Sequence, residues 1–162
     1  MNLQRNNNTL ITTILFDDCY EELQFRRKVN DVDDLTNKEY FVRGCTALYD
    51  AIGKTINKLD KEVANSKVLF VITTDGLENA SIEYDKDKIN KLIKNHTNWE
   101  FIYLGANIDS YQEGTSIGIK MDNISNYSKT SEGMKNMFRS VAYLSECMVN
   151  DKKINDTWKK NL

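Results

Sequence analysis

The sequence is poor in the residue types that build metal centres and disulfide frameworks. It contains no proline, a single histidine and three widely spaced cysteines. Cys19, Cys45 and Cys147 form no CxxC pair, and His96 alone cannot complete a zinc site with them. These absences exclude a disulfide scaffold and a zinc module, and we expect free thiols in a reducing compartment.

A concentrated basic face and a long apolar run are also missing. The formal net charge is −2, and the longest basic cluster, Arg26-Arg27-Lys28, lies in an alternating strand pattern typical of a solvated edge. No apolar run approaches the roughly 20 residues of a membrane span. The first eight residues lack the apolar core of a signal peptide. We therefore expect a cytoplasmic protein that binds neither nucleic acid nor membranes.

Apolar periodicity predicts alternating strands and helices with no internal repeat. The β-branched run Leu10–Phe16 stops at Asp17-Asp18, and an alternating segment from Tyr20 to Val29 completes a hairpin. Further strands are predicted at 68–72, 99–104 and 124–127, and helices at 46–63, 85–96, 110–117 and 131–148. This order indicates an α/β fold with a mostly parallel sheet, helices on both faces and an antiparallel hairpin at one edge.

The length of 162 residues supports one hydrophobic core and one domain, which we assign to residues 1–150. Residues 151–162 read as a charged tail that frays. In the alternative, Ile154 and Trp158 extend the last helix and dock, whereas an exposed Trp158 would be an interface anchor. The last helix is predicted to bury Met134, Met137 and Phe138 on its inner face.

Polar residues follow three of the predicted strands. They are Asp17-Asp18, Asp75–Asn79 and Gly105–Asp109, and Thr46 begins a helix that meets the same edge. Ligands of open α/β sheets bind at the carboxyl ends of the strands. Thr46 and Asp75 offer hard oxygen donors suited to Mg²⁺ or Mn²⁺. In the simpler alternative, Asp75 opens a turn with Gly76, and Thr46 only caps its helix.

Two segments carry a resemblance to a known family. Residues 44–52, Gly-Cys-Thr-Ala-Leu-Tyr-Asp-Ala-Ile, resemble the threonine-bearing motif of von Willebrand factor A domains. Residues 71–79, Val-Ile-Thr-Thr-Asp-Gly-Leu-Glu-Asn, resemble the aspartate-glycine motif of the same family, and one helix separates the two, as in that family. The resemblance covers nearly the whole chain and is closest to the small stand-alone A domains of bacteria and phages.

The resemblance implies a Rossmann-like, three-layer fold that binds proteins rather than catalyses a reaction. It places Thr46 and Asp75 in a metal-ion-dependent adhesion site, where a partner's carboxylate completes the metal shell. Such domains act as adaptors in larger assemblies. The partner-binding rim would then comprise Gly76, Glu78, Asn79, Asn107 and Asp109.

The sequence departs from the family at its front, because the Asp-x-Ser-x-Ser motif is absent. From the resemblance we expect about one strand and one helix to be missing with it, so any bound Mg²⁺ would take most of its ligands from water and bind weakly. Asp17 or Asp18 is a substitute ligand to consider. Loss of a central strand leaves its two neighbours unpaired, which favours self-association or a complementing fragment. The alternative is a degenerate, metal-free structural copy.

Two catalytic or phosphoryl-transfer interpretations compete with adaptor function. A receiver-like phosphoacceptor would use Asp17-Asp18 and Asp75 but needs a hydroxyl after the next strand and a lysine after the following one. Gly105-Ala106-Asn107 offers no hydroxyl, and no lysine is evident from the pattern. A Cys45 nucleophile lacks a base, because His96 falls on a different helix.

Overall fold

The computed structural model describes residues 8–32 and 44–162. Four α-helices and five strands are present there, and they follow the order predicted from periodicity. The strands are β1 (Leu10–Phe16), β2 (Tyr20–Lys28), β3 (Val68–Thr74), β4 (Trp99–Gly105) and β5 (Ile124–Asn126). The helices are α1 (Leu48–Val63), α2 (Lys86–Asn95), α3 (Ser110–Ser116) and α4 (Ser131–Val149). None of these helices is both long and apolar enough to cross a bilayer.

The strands form two separate sheets. Strands β3, β4 and β5 form a parallel sheet in that order, with Val68 opposite Trp99 and Tyr103 opposite Ile124. Strands β1 and β2 form an antiparallel hairpin of their own. The mixed α/β class is therefore confirmed. The prediction that the hairpin forms one edge of the parallel sheet is wrong, because no strand pairing joins the two within the described residues.

Helices pack on both faces of the parallel sheet. Alternate side chains of a strand point to opposite faces, and the apolar runs of β3 and β4 feed two hydrophobic clusters. One cluster joins α1 and α2 to the face made by Val68, Phe70, Ile72, Trp99, Phe101 and Tyr103. The other joins α4 and the carboxyl-terminal segment to the face made by Leu69, Val71, Ile102 and Leu104.

Helix α1 also carries the hairpin. Phe16 and Phe25 pack against the cluster built on α1, and the Tyr20 hydroxyl lies 3.2 Å from Thr55 Oγ1. Lys58 forms an ion pair with Glu22. One amphipathic helix thus contacts two sheets that, among the residues described, do not pair with each other.

The carboxyl-terminal segment packs against the parallel sheet. Trp158 is 2% exposed and packs with Ile102 and Leu104, so it docks, as one of the two alternatives held, and is not an exposed anchor. A short 3-10 helix, Asp156–Lys159, places the indole ring of Trp158 in the core.

The buried face of α4 differs from the predicted one at one residue. Met137 is buried but Phe138 is 43% exposed, because the buried face follows Gly133, Met137, Ser140, Leu144 and Cys147.

Candidate binding site at the carboxyl edge

The carboxyl ends of the three parallel strands lie side by side. The Ala106 amide, just after β4, donates to the Thr74 carbonyl at 3.0 Å. The Tyr127 amide, just after β5, donates to the Gly105 carbonyl at 2.9 Å. The segments that follow β3, β4 and β5 therefore meet at one edge, where ligands of parallel sheets bind.

Thr46 lies at this edge but does not cap α1. The helix begins at Leu48, and its N-cap residue, Ala47, makes no side-chain capping bond. The Thr46 amide instead donates to Asn79 Oδ1 at 2.8 Å, and the Asn79 amide donates to the Thr46 carbonyl at 3.0 Å. The prediction of a Thr46 cap is wrong, and Asn79 fixes the backbone of Thr46 instead.

The Thr46 hydroxyl lies beside the turn that contains Asp75 and Gly76. A Cβ atom at Gly76 would lie 2.9 Å from Thr46 Oγ1, so a larger residue here would displace the hydroxyl. The buried Thr74 hydroxyl shapes the same turn by donating to the Gly76 carbonyl at 3.0 Å. The two residues predicted as metal ligands are thus brought near each other, because the Thr46 hydroxyl lies beside Gly76, the residue that follows Asp75.

Asp75 already has a cationic neighbour. Lys129, in the segment between β5 and α4, places its Nζ 2.7 Å from Asp75 Oδ2. Both side chains are partly exposed, so this ion pair is worth less than a buried one. The ammonium group stands beside the carboxylate oxygen that would bind a metal. Mg²⁺ takes six oxygen ligands, and here a lysine ammonium stands beside the carboxylate that would be one of them. The residues of this turn therefore fit a divalent ion poorly.

Glu78, predicted as part of the partner-binding rim, is occupied by bonds within the chain. Its Oε1 accepts from the amides of Ala80 at 2.9 Å and Ser81 at 2.7 Å. Its Oε2 accepts from the Tyr49 amide at 2.9 Å and from the Ser81 hydroxyl at 2.7 Å. Because Tyr49 lies in the first turn of α1, the carboxylate caps that helix from a distant loop.

Asp50, which the sequence motifs did not single out, holds the same loop. Its carboxylate is buried and accepts from the amides of Ile82 at 3.0 Å, Glu83 at 2.9 Å and Tyr84 at 2.8 Å. Burial by itself would raise the pKa of Asp50. The three amide donors and nearby Lys54 outweigh it, so the pKa lies below its ordinary value of 3.8.

The loop held in this way displays large apolar side chains to solvent. We call residues 76–84 the β3 loop. Leu77 is 53% exposed and Ile82 is 92% exposed, although the amide of Ile82 is bonded to Asp50. The bonded amides fix the backbone of residues 80–84 while Ile82 stays in contact with water.

The remaining rim residues follow β4. Asn107 is exposed and adopts a left-handed backbone conformation with φ of 59°, which asparagine tolerates well. Asp109 Oδ1 accepts from the Gln112 amide at 3.0 Å and caps α3. Asn107 is therefore available to a partner, whereas Asp109 has a structural bond.

The Asp17-Asp18 turn reaches the same edge of the molecule. The Asp17 carbonyl accepts from the Ala47 amide at 2.6 Å. Potential ligand atoms of Asp17, Asp18 and Cys19 lie within 4.8 Å of one another. The Cys19 amide donates to Asp17 Oδ1 at 2.6 Å, which is the local bond expected of a tight turn.

Comparisons with protein-family models, curated proteins and solved structures gave no match.

Proposed function

We propose that this chain is a protein-binding adaptor module that contacts its partner through the carboxyl edge of the sheet. The contact surface, which we call the edge surface, comprises Leu77, Asn79, Ile82, Asn107 and the Asp75–Lys129 pair. The carrying observation is the β3 loop, which exposes Leu77 and Ile82 and whose backbone amides at residues 80–84 are bonded to Glu78 and Asp50.

Preorganisation is the physical reason for this assignment. Binding costs less when the backbone of the contacting loop is already ordered in the free protein. Two carboxylates accept seven hydrogen bonds between them to fix one surface loop. A loop fixed so thoroughly while it exposes leucine and isoleucine to water is suited to an apolar contact with another protein.

We also propose that the fold is a Rossmann-like, three-layer domain of the von Willebrand factor A type that lacks one central strand. The helices on both faces of the parallel sheet and the adjacent hairpin support this assignment, as do the two sequence motifs. Within that fold, the Lys129–Asp75 ion pair favours the metal-free alternative. Mg²⁺ or Mn²⁺ would have to displace the ammonium before binding Asp75.

Affinity capture with matched variants tests adaptor function. The immobilised chain is incubated with extract from its source organism, beside Leu77→Ser/Ile82→Ser and Met121→Ser. Met121 is 61% exposed and precedes β5, at the opposite end of the sheet, so it controls for loss of any exposed apolar side chain. We expect one protein to be retained by wild type and Met121→Ser and lost from the double variant. Equal capture by all three proteins, or by none, contradicts the proposal.

One observation favours a second candidate, an aspartyl phosphoacceptor. The sequence pattern showed no lysine for such a site, but Lys129 follows β5 and reaches Asp75. An Asp75 oxygen would attack the phosphorus of acetyl phosphate, the phosphorus–oxygen bond to acetate would break, and acetate would leave. Lys129 would offset the charge on the transferred group. The hydroxyl after β4, Ser110, is buried and donates to Asn126 at 2.5 Å, so it is engaged elsewhere.

Intact-mass measurement separates the two candidates. Wild type and Asp75→Asn are incubated with acetyl phosphate and Mg²⁺. A phosphoacceptor gains one phosphoryl group in wild type and none in Asp75→Asn. An unchanged mass in both proteins removes the second candidate and leaves adaptor function as the proposal.

A further inference from the structure

Helix α4 has two flanks of opposite character beside its buried face. One flank is polar, because Arg139 Nη1 donates to Asn136 Oδ1 at 2.8 Å and to Glu132 Oε1 at 3.3 Å. The other flank carries no charged side chain. Its members recur at the spacing of one side of an α-helix, and they are Met134, Phe138, Val141, Ala142, Ser145, Met148 and Val149. Helix α4 therefore has a second apolar surface besides the one that it buries in the core.

This second surface, which we call the α4 flank, is only partly covered by its own chain. Met134 and Val141 pack against the hydrophobic cluster between α4 and the parallel sheet. Phe138, in contrast, is 43% exposed, and Val149 is 38% exposed. An uncharged row with large apolar side chains in contact with water is suited to a contact with another helix.

The exposed part of the α4 flank has the spacing of a seam between two helices. Its members are separated by four, three and four residues, as in the heptad pattern of paired helices, and they are Phe138, Ala142, Ser145 and Val149. The two larger side chains lie at the ends of this row. The two small ones lie in the middle, where they allow two helix backbones to approach closely. From its first to its last member the row spans about 16 Å, or three turns.

The row is complementary to itself in the antiparallel direction. A two-fold axis that passes between Ala142 and Ser145 places Phe138 of one copy opposite Val149 of the other. The small side chains of both copies then meet at the axis. In the parallel direction each residue would instead face its own copy, so that two phenylalanines would compete for one place.

Charges at the border of the row favour the same direction. Arg139 directly follows Phe138, and Glu146 directly follows Ser145, so both charges lie at the same border of the row. Antiparallel pairing brings Arg139 of each copy near Glu146 of the other, whereas parallel pairing keeps them on opposite sides of the seam. The Arg139–Glu132 ion pair within the chain is exposed, so its exchange for this contact costs little.

We propose that the α4 flank binds the α4 flank of a second copy of this chain, with the two helices antiparallel. A second copy is the occupant because the same surface, turned by half a rotation, matches the flank in spacing, side-chain size and charge. Three turns of helix on each side make a contact smaller than the roughly 1,600 Å² of a standard interface, so we expect a dissociation constant of about 10–100 μM. None of these residues belongs to the edge surface, so the proposal does not rest on adaptor function.

The chain's own residues outside the described ranges are the competing occupant. Residues 33–43 connect the hairpin to α1, and residues 1–7 precede the hairpin. The hairpin and α1 both pack on the cluster across the sheet from α4. A segment attached to that opposite face is less suited to the α4 flank than a second copy is.

Light scattering during size-exclusion chromatography of the full chain tests the proposal. Between about 1 μM and about 500 μM the mass should rise from 18.8 kDa, that of one chain, towards twice that value. Phe138→Glu places a charge against Val149 of the second copy, and Val149→Lys places one against Phe138. Each variant should weaken dimerisation by about tenfold or more. Met121→Glu makes the same kind of change at an exposed apolar residue outside α4 and should dimerise as wild type does.

An equimolar mixture of Phe138→Glu and Val149→Lys tests the direction of the helices. In the antiparallel dimer the introduced carboxylate of one copy meets the introduced ammonium group of the other. The mixture should therefore dimerise more tightly than either variant alone. In a parallel dimer the two positions lie three turns apart, and mixing would gain nothing.

Three results would overturn the proposal. The first is the mass of a single chain at every concentration, as coverage of the α4 flank by residues 33–43 would give. The second is dimerisation of Phe138→Glu equal to that of wild type, and the third is a mixture no tighter than its two components. Unfolding of Phe138 variants is compared below about 1 μM, where single chains prevail, and should stay cooperative, so loss of the dimer is distinguished from loss of the fold.

Discussion

At the scale of residues, the carboxylates that shape the candidate site are structural. Asp50 and Glu78 bind backbone amides of the β3 loop and of α1 rather than pointing at a ligand. The sequence could identify Asp75 and Thr46 through their motifs. It could not identify Asp50, because a polar residue in the first turn of a helix is ordinary and its three donors lie more than thirty residues later.

Replacing Asp50 by alanine should destabilise the fold by about 3 kcal/mol, because three amides lose a buried, charged acceptor. Urea denaturation of Asp50→Ala measures the change. Asp122→Ala, which removes an exposed aspartate, is the matched control and should change stability by less than about 0.5 kcal/mol. Equal stabilities of the two variants would show that the Asp50 bonds contribute nothing.

Asp50 should also make the free energy of unfolding depend on pH in the acid range. The pKa of Asp50 is lowered in the folded state. Its ionised carboxylate therefore stabilises the fold fully above the ordinary value of 3.8, and this stabilisation is lost as the pH falls towards the folded pKa. Urea midpoints measured from about pH 5 down to about pH 3 should fall more steeply in wild type than in Asp50→Asn. Parallel curves would contradict the assigned shift.

Lys129 should control whether Asp75 can bind a metal. In Lys129→Met the carboxylate loses its cation, so Mn²⁺ should raise the melting temperature more than in wild type. At a concentration one hundred times the dissociation constant, bound metal stabilises by about 2.7 kcal/mol. Lys129→Met/Asp75→Asn is the control and should not respond. An equal metal response in wild type and Lys129→Met would show that the ammonium does not compete.

At the scale of elements, periodicity located every helix and strand of the described chain, but long-range contacts set some of their limits. Helix α1 begins at Leu48 rather than Thr46, and Glu78, 29 residues after Tyr49, supplies its cap. The residues next to the start of α1 in the sequence do not indicate that bond. The predicted inner face of α4 was also wrong at Phe138, because Met137 and Phe138 are adjacent and equally apolar.

The adjacent pair in α4 gives a matched test of which face is buried. Met137→Ala should cost about 2–4 kcal/mol, because its side chain is in the core. Phe138→Ala should cost less than about 1 kcal/mol despite removing a larger side chain, since Phe138 is 43% exposed. Thermal or urea unfolding of the two variants decides the matter, and the reverse order would refute this orientation of α4.

At the scale of the whole molecule, the sequence predicted the α/β class but not the division into two sheets. Pairing between strands depends on which strand lies next to which, and periodicity within each strand carries no such information. For the carboxyl-terminal segment, the sequence left both fraying and docking open, because its charge favours the first and Trp158 the second. Its single buried side chain, Trp158, joins it to the second hydrophobic cluster.

Trp158→Ala should therefore destabilise the whole molecule by about 3 kcal/mol or more, as loss of a buried aromatic ring does. Lys153→Ala, in the same segment and exposed, should have almost no effect. Calorimetric unfolding of both variants makes the comparison. A melting temperature unchanged by Trp158→Ala would mean that the segment is detached in solution.

The hairpin is attached to the rest of the described chain by side chains along α1, including the Arg26–Glu62 and Lys58–Glu22 ion pairs, and by the Ala47–Asp17 backbone bond, rather than by strand pairing. Under mechanical load such attachments break in succession, whereas strands pulled along their length resist together. Tension applied at the amino-terminal end would therefore peel away β1 and β2 at low force while the parallel sheet stays folded. The molecule has a built-in order of mechanical failure.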